Sequence, residues 1–325
     1  MFIMTSKTND EKNNFSISIV IPTKDRPEDL KRCLNSVILQ LNRDDEIILV
    51  NGGKQEVVEK VVKDLEGLYG TIRILHDGTP NFTYALNLGC RLAKNRIIGI
   101  VNDDIVFGDY WVKSVKHWYH LLPNASSIGG VAKDMNPRKI EKVLESHRWL
   151  SNLYDKIVMG GHLRDTGIIT PSGSFSIGCD IPNAPTRVSG FSGANMIVLK
   201  QVLEEFGYFN TIFKYAGAEG YFYLNLLDKR KEVFLVPGCE VKHYPNSEGG
   251  TRNPFFLAQD YAIYFKMIKT ESALDWIRKN LNVASFFLLW ILTYKLDFKK
   301  YSKLLSGFVS GLRIYKKHGN DDIIT

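Results

Sequence analysis

The chain has 325 residues and a mass of 37.0 kDa, which is long enough for one large α/β domain or two smaller ones. Hydrophobic residues make up 44% and charged residues 24% of the sequence, a composition that excludes a wholly disordered chain and a polytopic membrane protein. The net charge is +7, but segment 295–317 alone holds seven basic residues and one acidic residue. A nucleic-acid-binding protein usually spreads positive charge over its main domain, so this basic segment instead indicates an anionic partner such as a membrane surface.

The cysteine pattern and the N-terminus indicate a protein of the reducing cytoplasm. None of the four cysteines belongs to a C-x-x-C pair, so the sequence does not support a zinc ribbon or a thioredoxin-like site. Buried thiols are the ordinary state of such cysteines. Residues 1–14 are polar, lack the apolar core of a signal peptide, and are predicted to form a flexible tail.

The first half of the sequence alternates between short apolar runs and amphipathic stretches. The apolar runs predict strands at 16–21, 46–50, 71–75 and 96–101. Helical spacing predicts helices that begin at Pro27, after 53 and at 83. This alternation is typical of parallel βαβ units and predicts an α/β fold whose mostly parallel central sheet is flanked by helices.

Polar side chains follow three of these four predicted strands. The ends of parallel strands meet at one edge of a sheet, where ligands of such folds bind. Asp103 and Asp104 supply a pair of hard oxygen ligands that suits Mg²⁺ or Mn²⁺, and either ion can hold a diphosphate. The three polar ends are Thr23-Lys24-Asp25-Arg26, Asn51-Gly52-Gly53 and Asn102-Asp103-Asp104.

The second half is less regular. Residues 133–186 are rich in Gly, Pro and polar residues and predict an inserted, partly extended region. A turn into a strand is predicted over 187–199, helices over 201–206 and 221–227, and short strands over 232–236 and 239–243. From residue 255 onward the pattern is helical.

The ordered motifs of this chain resemble those of family 2 glycosyltransferases of the GT-A type, and they span roughly residues 16 to 243. The motifs are S-I-V-I-P-T-K-D-R, E-I-I-L-V-N-G-G, N-F-T-Y-A-L-N-L-G, I-I-G-I-V-N-D-D-I, G-F-S-G-A-N-M-I-V-L, A-E-G-Y-F-Y-L-N-L and V-F-L-V-P-G-C-E-V-K-H. The resemblance implies a GT-A fold, a nucleotide-diphosphate-sugar donor and inverting transfer of the sugar.

The resemblance also assigns roles to single residues. It implies that Asp104 and His243 bind Mn²⁺ or Mg²⁺ and that Glu219 is the catalytic base. The loop from Pro22 through Thr23 to Arg26 matches a loop beside the nucleotide, and Asp103 matches a residue over the ribose and diphosphate. Asn51 stands where the family usually has an Asp that faces the base, and Asn102 replaces the first Asp of the fuller D-x-D form.

Three further donor contacts are expected. Gly193 offers a small side chain beside the sugar. Asn81 can form a hydrogen bond with the donor. Arg252 lies in a Gly-rich polar stretch after His243, and a loop of this kind can close over a ligand and bring the arginine to a phosphate.

Two alignments of the catalytic helix remain open. Glu219 falls on the position of the base when Phe222, Leu224 and Leu226 are aligned with the apolar positions of the family helix. The other alignment places Gly220 there and leaves no base. A catalytically silent sugar-nucleotide or membrane-binding module is therefore an alternative. A sugar nucleotidyltransferase is another, although its Gly-rich, basic phosphate loop is not visible after the first strand.

The predicted organisation is a catalytic domain over 15–254, with a nucleotide-sugar-binding half (15–125) and an acceptor half (126–254), followed by a helical, membrane-associating region (255–325). The apolar run 283–294 has twelve residues, whereas a spanning helix needs about twenty. It therefore predicts a buried helix or an in-plane membrane segment that inserts Phe286, Phe287, Leu289 and Trp290. The expected acceptor is a lipid-linked glycan or surface polysaccharide, and the expected location is the cytoplasm, peripheral on the inner face of the cell membrane, with no nucleic-acid partner.

Overall fold

The computed structural model describes residues 15–65, 71–78, 81–135, 146–245, 253–294 and 297–318. The strands are β1 (Ile17–Thr23), β2 (Glu46–Asn51), β3 (Thr71–His76), β4 (Ile97–Ile100), β5 (Ile105–Phe107), β6 (Ser127–Gly129), β7 (Ala132–Asp134), β8 (Thr186–Arg187), β9 (Met196–Leu199), β10 (Val233–Leu235) and β11 (Val241–His243). The helices are α1 (Pro27–Val37), α2 (Gln55–Lys63), α3 (Phe82–Leu92), α4 (Trp111–Leu121), α5 (Arg148–Tyr154), α6 (Lys200–Glu205), α7 (Ala218–Asp228), α8 (Pro254–Met267), α9 (Ala273–Tyr294) and α10 (Phe298–His318).

Two sheets build the domain. Eight strands form the larger sheet in the order β3-β2-β1-β4-β9-β6-β10-β8, and three form the smaller sheet in the order β5-β11-β7. The four strands from β3 to β4 are mutually parallel, as the alternation of strands and helices predicts. β9 runs antiparallel to both β4 and β6, so the sheet is mixed beyond the nucleotide half.

Burial explains why the first strands read as continuous apolar runs. Every residue of β1, β2 and β4 is buried, because helices cover both faces of this part of the sheet. Trp111 of α4 is also fully buried, and its indole N–H donates a hydrogen bond to Asn195 Oδ1 at 3.1 Å. The Asn195 amide donates in turn to the carbonyls of Gly130 and Cys239, which fixes the chain between Gly193 and β9.

The C-terminal helices pack against the domain rather than apart from it. Ala258, Ala262 and Ile263 of α8 are fully buried. α10 lies so close to α8 that a methyl group on Gly307 or Gly311 would overlap the carbonyl of Phe255 or Gln259. None of the helices in the described ranges is both long enough and apolar enough to cross a membrane.

Candidate active site

The carboxyl ends of the parallel strands meet at one edge of the sheet. Thr23 at the end of β1 is paired with Asn51 at the end of β2, and Asn51 with His76 at the end of β3. Asp103 and Asp104 follow β4, the other neighbour of β1. The sequence-predicted cluster is therefore assembled at the edge where ligands of open α/β sheets bind.

Asp103 is held by the loop after β1. Its carboxylate accepts a hydrogen bond from the hydroxyl of Thr23 at 2.7 Å and lies 2.5 Å from a guanidinium nitrogen of Arg26. The side chain has no solvent exposure, and this burial raises the pKa of Asp103 to about 7 against the opposing effects of Arg26 and Thr23. Asp103, Thr23 and Arg26 thus form one preassembled group.

Asp104 is the more strongly ionised carboxylate of the pair. Burial disfavours its charged form, but the neighbouring His243 and Arg26 overcome that effect and lower the pKa of Asp104. Arg26 Nη1 is 3.3 Å from Asp104 Oδ2, and His243 Nε2 is 3.2 Å from Asp104 Oδ1. Arg26 therefore bridges both carboxylates and balances part of their charge.

His243 connects the two sheets of the site. It ends β11, where it is in register with Ile105 of β5 on one side and with Asp134 of β7 on the other. Its Nδ1 lies 2.5 Å from Asp134 Oδ1, and its Nε2 faces Asp104. Burial lowers the pKa of His243, but these two carboxylates outweigh it and raise the pKa to about 9.

Asp104 and His243 fit a divalent cation such as Mn²⁺. Carboxylate oxygen and imidazole nitrogen are suitable ligands, and Asp134 orients the ring through its other nitrogen, as the outer partners of metal-binding histidines do. Asp104 Oδ1 is buried and faces His243 Nε2 at 3.2 Å, so a cation between them would take the place of the His243 proton in this ion pair. Among the described residues, no group of three or more His, Cys, Asp or Glu side chains is arranged to hold a metal ion.

Asn51 organises the loop after β2. Its amide donates to the carbonyls of Gly53 and Lys54 and lies 3.1 Å from His76 Nδ1, and its Oδ1 accepts from the N–H of Gly53. Asp25 accepts from the N–H of Lys54 at 2.9 Å, which ties this loop to the loop after β1. Asn51 therefore fixes the loop at the position where the family resemblance implies contact with the nucleotide base.

The remaining predicted donor contacts have different surroundings. Pro22 is buried within β1. Asn81 caps α3 by accepting a hydrogen bond from the N–H of Tyr84 at 3.0 Å, and its amide lies 3.4 Å from the carbonyl of Thr211. Its side chain thus already serves two structural contacts. Arg252 and the N-terminal tail over 1–14 lie outside the described residues.

Glu219, the predicted catalytic base, lies at the start of α7. It is the second residue of α7, and Gly217, with φ of +87°, forms the left-handed turn that starts the helix. Burial raises the pKa of Glu219, and the negative charge of Asp260 adds to that effect. The backbone N–H of Glu219 donates a hydrogen bond to the carboxylate, and this bond partly offsets the effect of burial on the pKa of Glu219.

Gly193 and Glu219 are in direct contact, which the sequence did not reveal. A methyl group on Gly193 would overlap Glu219 Oε1, so this position admits only glycine while the carboxylate holds its present position. Gly193 is itself anchored by Asn195, two residues later, through the hydrogen bonds described above. Gly193 therefore leaves the space that Glu219 occupies.

Gly193→Ala is expected to displace the carboxylate and to lower turnover about tenfold or more, because misplacement of a catalytic group by about 1 Å can cost 10²-fold. The affinity for the donor nucleotide should stay within twofold, since Arg26 and the two aspartates are untouched. Steady-state kinetics and calorimetric titration of the nucleotide measure the two quantities. Normal turnover in the variant would contradict the placement of Glu219.

Two residues of the site escaped the sequence analysis. Asp134 ends a strand of only three residues inside the region interpreted as an insertion, and its pairing with His243 spans 109 positions. Asp260 is a buried acid within the apolar helix α8. The position of Asp260 inside an apolar helical pattern could have indicated a buried polar contact. No comparable sequence pattern marks Asp134.

Part of the sequence matches a known family. Residues 18–178, which include Arg26, Asp103 and Asp104, match the family model of glycosyl transferase family 2. The chain therefore contains a glycosyl transferase family 2 domain. Among curated proteins, the chain is 24% identical over 152 residues to the glucosyl-dolichyl phosphate glucuronosyltransferase of Haloferax volcanii. The match covers 46% of this chain and 48% of the relative, so the chain spans about half the length of that protein.

Solved structures confirm the GT-A fold. The mannosyltransferase PcManGT from Pyrobaculum calidifontis, in complex with GDP-Man and Mn²⁺, aligns with a TM-score of 0.52 and 14% identity over 93% of this chain and 75% of its own. GalNAc-T7 with UDP, GalNAc and Mn²⁺ aligns with a TM-score of 0.57 and 13% identity over 84% of this chain and 55% of its own. The GT-A fold predicted from the sequence, a central sheet flanked by helices, is thus confirmed.

Proposed function

We propose that this protein is a metal-dependent inverting glycosyltransferase that moves a sugar from a nucleotide-diphosphate donor to an acceptor hydroxyl. The proposal rests on two acidic groups in different surroundings: one is paired with cationic side chains, and the other is buried. Asp103 and Asp104 lie with Arg26 and His243 at the carboxyl edge of the sheet, and Glu219 lies buried beside Gly193 at the start of α7. One site suits a charged diphosphate and the other suits a general base.

In this proposal Glu219 removes the proton of the acceptor hydroxyl. The oxygen then attacks the anomeric carbon from the face opposite the leaving nucleoside diphosphate, so one substitution inverts the configuration and no covalent enzyme intermediate forms. The raised pKa of Glu219 makes the carboxylate a stronger base than an exposed glutamate. The fixed space beside Gly193 keeps the carboxylate oriented.

The leaving group is stabilised at the other end. Negative charge grows on the diphosphate during the reaction, and the guanidinium of Arg26 is already held at that edge by both aspartates. A cation bound by Asp104 and His243 would supply further charge neutralisation. The two structural neighbours contain Mn²⁺ with a guanine or a uracil nucleotide, which supports the choice of metal and leaves the base open.

Ligand-induced stabilisation tests the donor half directly. UDP-, GDP- and dTDP-sugars are each added with Mn²⁺, with Mg²⁺ and with EDTA, because a ligand that binds the native state raises the unfolding temperature. The proposal expects one donor class to stabilise the protein only with a metal. Transfer to an acceptor then separates an enzyme from a silent sugar-nucleotide module, which would bind the donor without turnover.

We also propose a lipid-linked glycan or surface polysaccharide as acceptor, presented at an anionic membrane on the cytoplasmic, inner face of the cell membrane. The name of the Haloferax volcanii relative supports a lipid-linked acceptor. Six basic residues of α10 support an anionic surface, since each basic residue near such a surface contributes about 1 kcal/mol. They are Lys299, Lys300, Lys303, Arg313, Lys316 and Lys317.

The apolar surface available for this contact differs from the one predicted. Phe286 packs on Tyr261 with ring centroids 4.7 Å apart, and Phe287 packs on Phe308 at 5.1 Å, so these two rings contact the neighbouring helices. Trp290 is partly buried, and the side chain of Leu289 lies outside the described residues. Among the described side chains of α9, four exposed apolar residues recur at helical spacing, and Trp276 is exposed beside them. The four are Leu274, Ile277, Leu281 and Leu288.

The full-length protein is expected to bind vesicles that contain phosphatidylglycerol, with weaker but persistent binding at high salt, because salt screens charge and leaves apolar insertion intact. Changing Leu274, Ile277 and Leu281 together to Ser should remove the salt-resistant part. Point changes are preferable to deletion of α10, because deletion would expose α8 where Gly307 and Gly311 now pack.

Leu39 and Tyr110 provide a matched control. Both are 70% exposed and lie on the catalytic domain, so their change to Ser removes a similar apolar surface. Vesicle sedimentation measures the bound fraction for each variant. Equal loss of binding in the control would contradict docking through α9, and no binding of the parent protein at low salt would contradict the membrane proposal.

A further inference from the structure

The loop that leads into Glu219 is held by a carboxylate on α8. Asp260 has no solvent exposure, and its Oδ2 accepts hydrogen bonds from three consecutive backbone N–H groups. The distances are 3.1 Å to Lys214, 2.7 Å to Tyr215 and 3.0 Å to Ala216. Gly217 follows at once and begins α7, so the bonded segment ends three residues before Glu219.

A second residue of α8 braces the same turn. Tyr264 lies one helical turn after Asp260, on the same face of the helix. Its Cβ lies against the position of Gly217, and its hydroxyl and ring edge lie against the position of Gly220, so it flanks Glu219 on both sides along the chain. The hydroxyl also donates to the carbonyl of Gly173 at 2.9 Å.

The loop is fixed from the opposite side as well. The carbonyl of Lys214 accepts a hydrogen bond from the N–H of Phe82 at the start of α3. The Asn81 amide approaches the carbonyl of Thr211 at 3.4 Å. The loop is thus clamped between α3 of the nucleotide half and α8, and Asp260 supplies the part of the clamp nearest Glu219.

We infer that Asp260 is a positioning residue, which holds the entry of α7 so that the carboxylate of Glu219 meets the acceptor hydroxyl. This inference rests on the proposed function and adds α8, which lies beyond the matched family segment, to the machinery of the reaction. Asp260 itself does not touch the substrate. It acts through the backbone of residues 214–216.

Burial of the Asp260 carboxylate in an apolar helix costs free energy, because it removes the charged group from water. Burial raises the pKa of Asp260 to about 6 even though three N–H groups stabilise the charged form. An apolar residue would pack in α8 without this cost, but would leave three backbone donors without an acceptor. The loop geometry is therefore what the carboxylate provides.

The test compares Asp260→Ala and Asp260→Asn with the parent protein. Asp260→Ala removes the acceptor, so we expect kcat to fall about 10- to 100-fold, the range that follows from misplacing a catalytic group. Asp260→Asn keeps one oxygen that can take the place of Oδ2, so its loss should be several-fold smaller. The Kd of the donor nucleotide should change less than twofold in both, because Asp103, Asp104 and Arg26 are untouched.

Amide hydrogen exchange distinguishes local release of the loop from a general loss of stability. In Asp260→Ala the N–H groups of Tyr215 and Ala216 should exchange faster, while amides in β1 and β4 keep their protection. Ala262→Gly is the matched control, since it weakens the same helix next to α10 without contact to the loop.

Each outcome separates the two proposals. If Glu219→Gln retains normal turnover, the proposed base fails and the positioning role with it. If Glu219→Gln is inactive but folded Asp260→Ala turns over at the parent rate, only the positioning inference is overturned. The same holds if Ala262→Gly, compared at an equal loss of thermal stability, lowers kcat as much as Asp260→Ala. If Asp260→Ala does not fold, the test uses Asp260→Asn instead. Normal kcat and normal exchange at Tyr215 and Ala216 in this variant would then overturn the positioning role.

Discussion

Glu219→Gln is expected to lower turnover about 10²-fold or more while the donor binds with its normal affinity. Glutamine keeps the size of the side chain and fits the space beside Gly193, but it cannot take a proton. The change therefore removes only the step assigned to Glu219. Single-turnover kinetics with saturating donor and acceptor measure this step.

Glu205→Gln is a matched control for this experiment. Glu205 ends α6 on the surface and is bonded to Lys231 at 2.8 Å, away from the site. Its replacement should leave turnover unchanged. If Glu219→Gln also turns over normally, the alternative alignment of α7, with Gly220 at the base position, or another carboxylate must account for proton removal.

The pH dependence gives the same residue an independent signature. Burial raises the pKa of Glu219 above its ordinary value of 4.5, and Asp260 adds to that rise. A base acts only when it is deprotonated, so turnover should fall as the pH decreases through this raised pKa. The acidic limb of kcat should therefore lie at a higher pH than the limb expected for an exposed glutamate.

The nucleotide half was predictable from the sequence because its structure is local. Buried parallel strands appear as continuous apolar runs, and the polar residues that end them share one edge by topology alone. Thr23, Arg26, Asp103 and Asp104 are accordingly brought together as predicted. The apolar run from Ile97 to Val101 predicted strand β4, and this strand places Asp103 and Asp104 at its carboxyl end.

The acceptor half was less predictable because its contacts are distant along the chain. Asp134 reaches His243 across 109 positions from a strand of three residues, and Asp260 reaches Tyr215 across 45. Strands this short carry no periodic signal. Phe222 and Leu226 of α7 are buried and Leu224 is partly buried, so the apolar residues used to align this helix pack in or against the core.

Helix periodicity predicted the C-terminal region as helical but not which face of each helix is covered. The run 283–294 is apolar on several sides, so the sequence could not show that Phe286 and Phe287 turn toward α8 and α10. The pair Gly307 and Gly311 was the available signal for close helix packing. Small residues four positions apart allow two helices to approach closely, and this spacing places α10 on α8.

Asp104→Ala is expected to abolish metal-dependent binding of the donor while the fold remains intact. Asp104 lies at a strand end, and its removal leaves Arg26 paired with Asp103 and His243 paired with Asp134. The cation would lose one of the two protein ligands that the site offers. Calorimetric titration of the nucleotide with and without Mn²⁺, and electron paramagnetic resonance of bound Mn²⁺, measure the loss without reference to turnover.

Two further variants test whether lost Mn²⁺ binding reflects lost metal ligation or lost stability. Asp134→Asn keeps both proposed ligands but weakens the orientation of His243, so Mn²⁺ affinity should fall about 10- to 100-fold, the usual effect of an outer partner. Asp45→Ala removes a buried carboxylate that binds Lys116 at 2.7 Å and precedes β2, at the opposite edge of the sheet. It should lower the unfolding temperature and leave Mn²⁺ dependence unchanged. If Asp104→Ala binds donor and Mn²⁺ like the parent protein, Asp104 is not a metal ligand, and its contacts with Arg26 and His243 only stabilise the edge of the sheet.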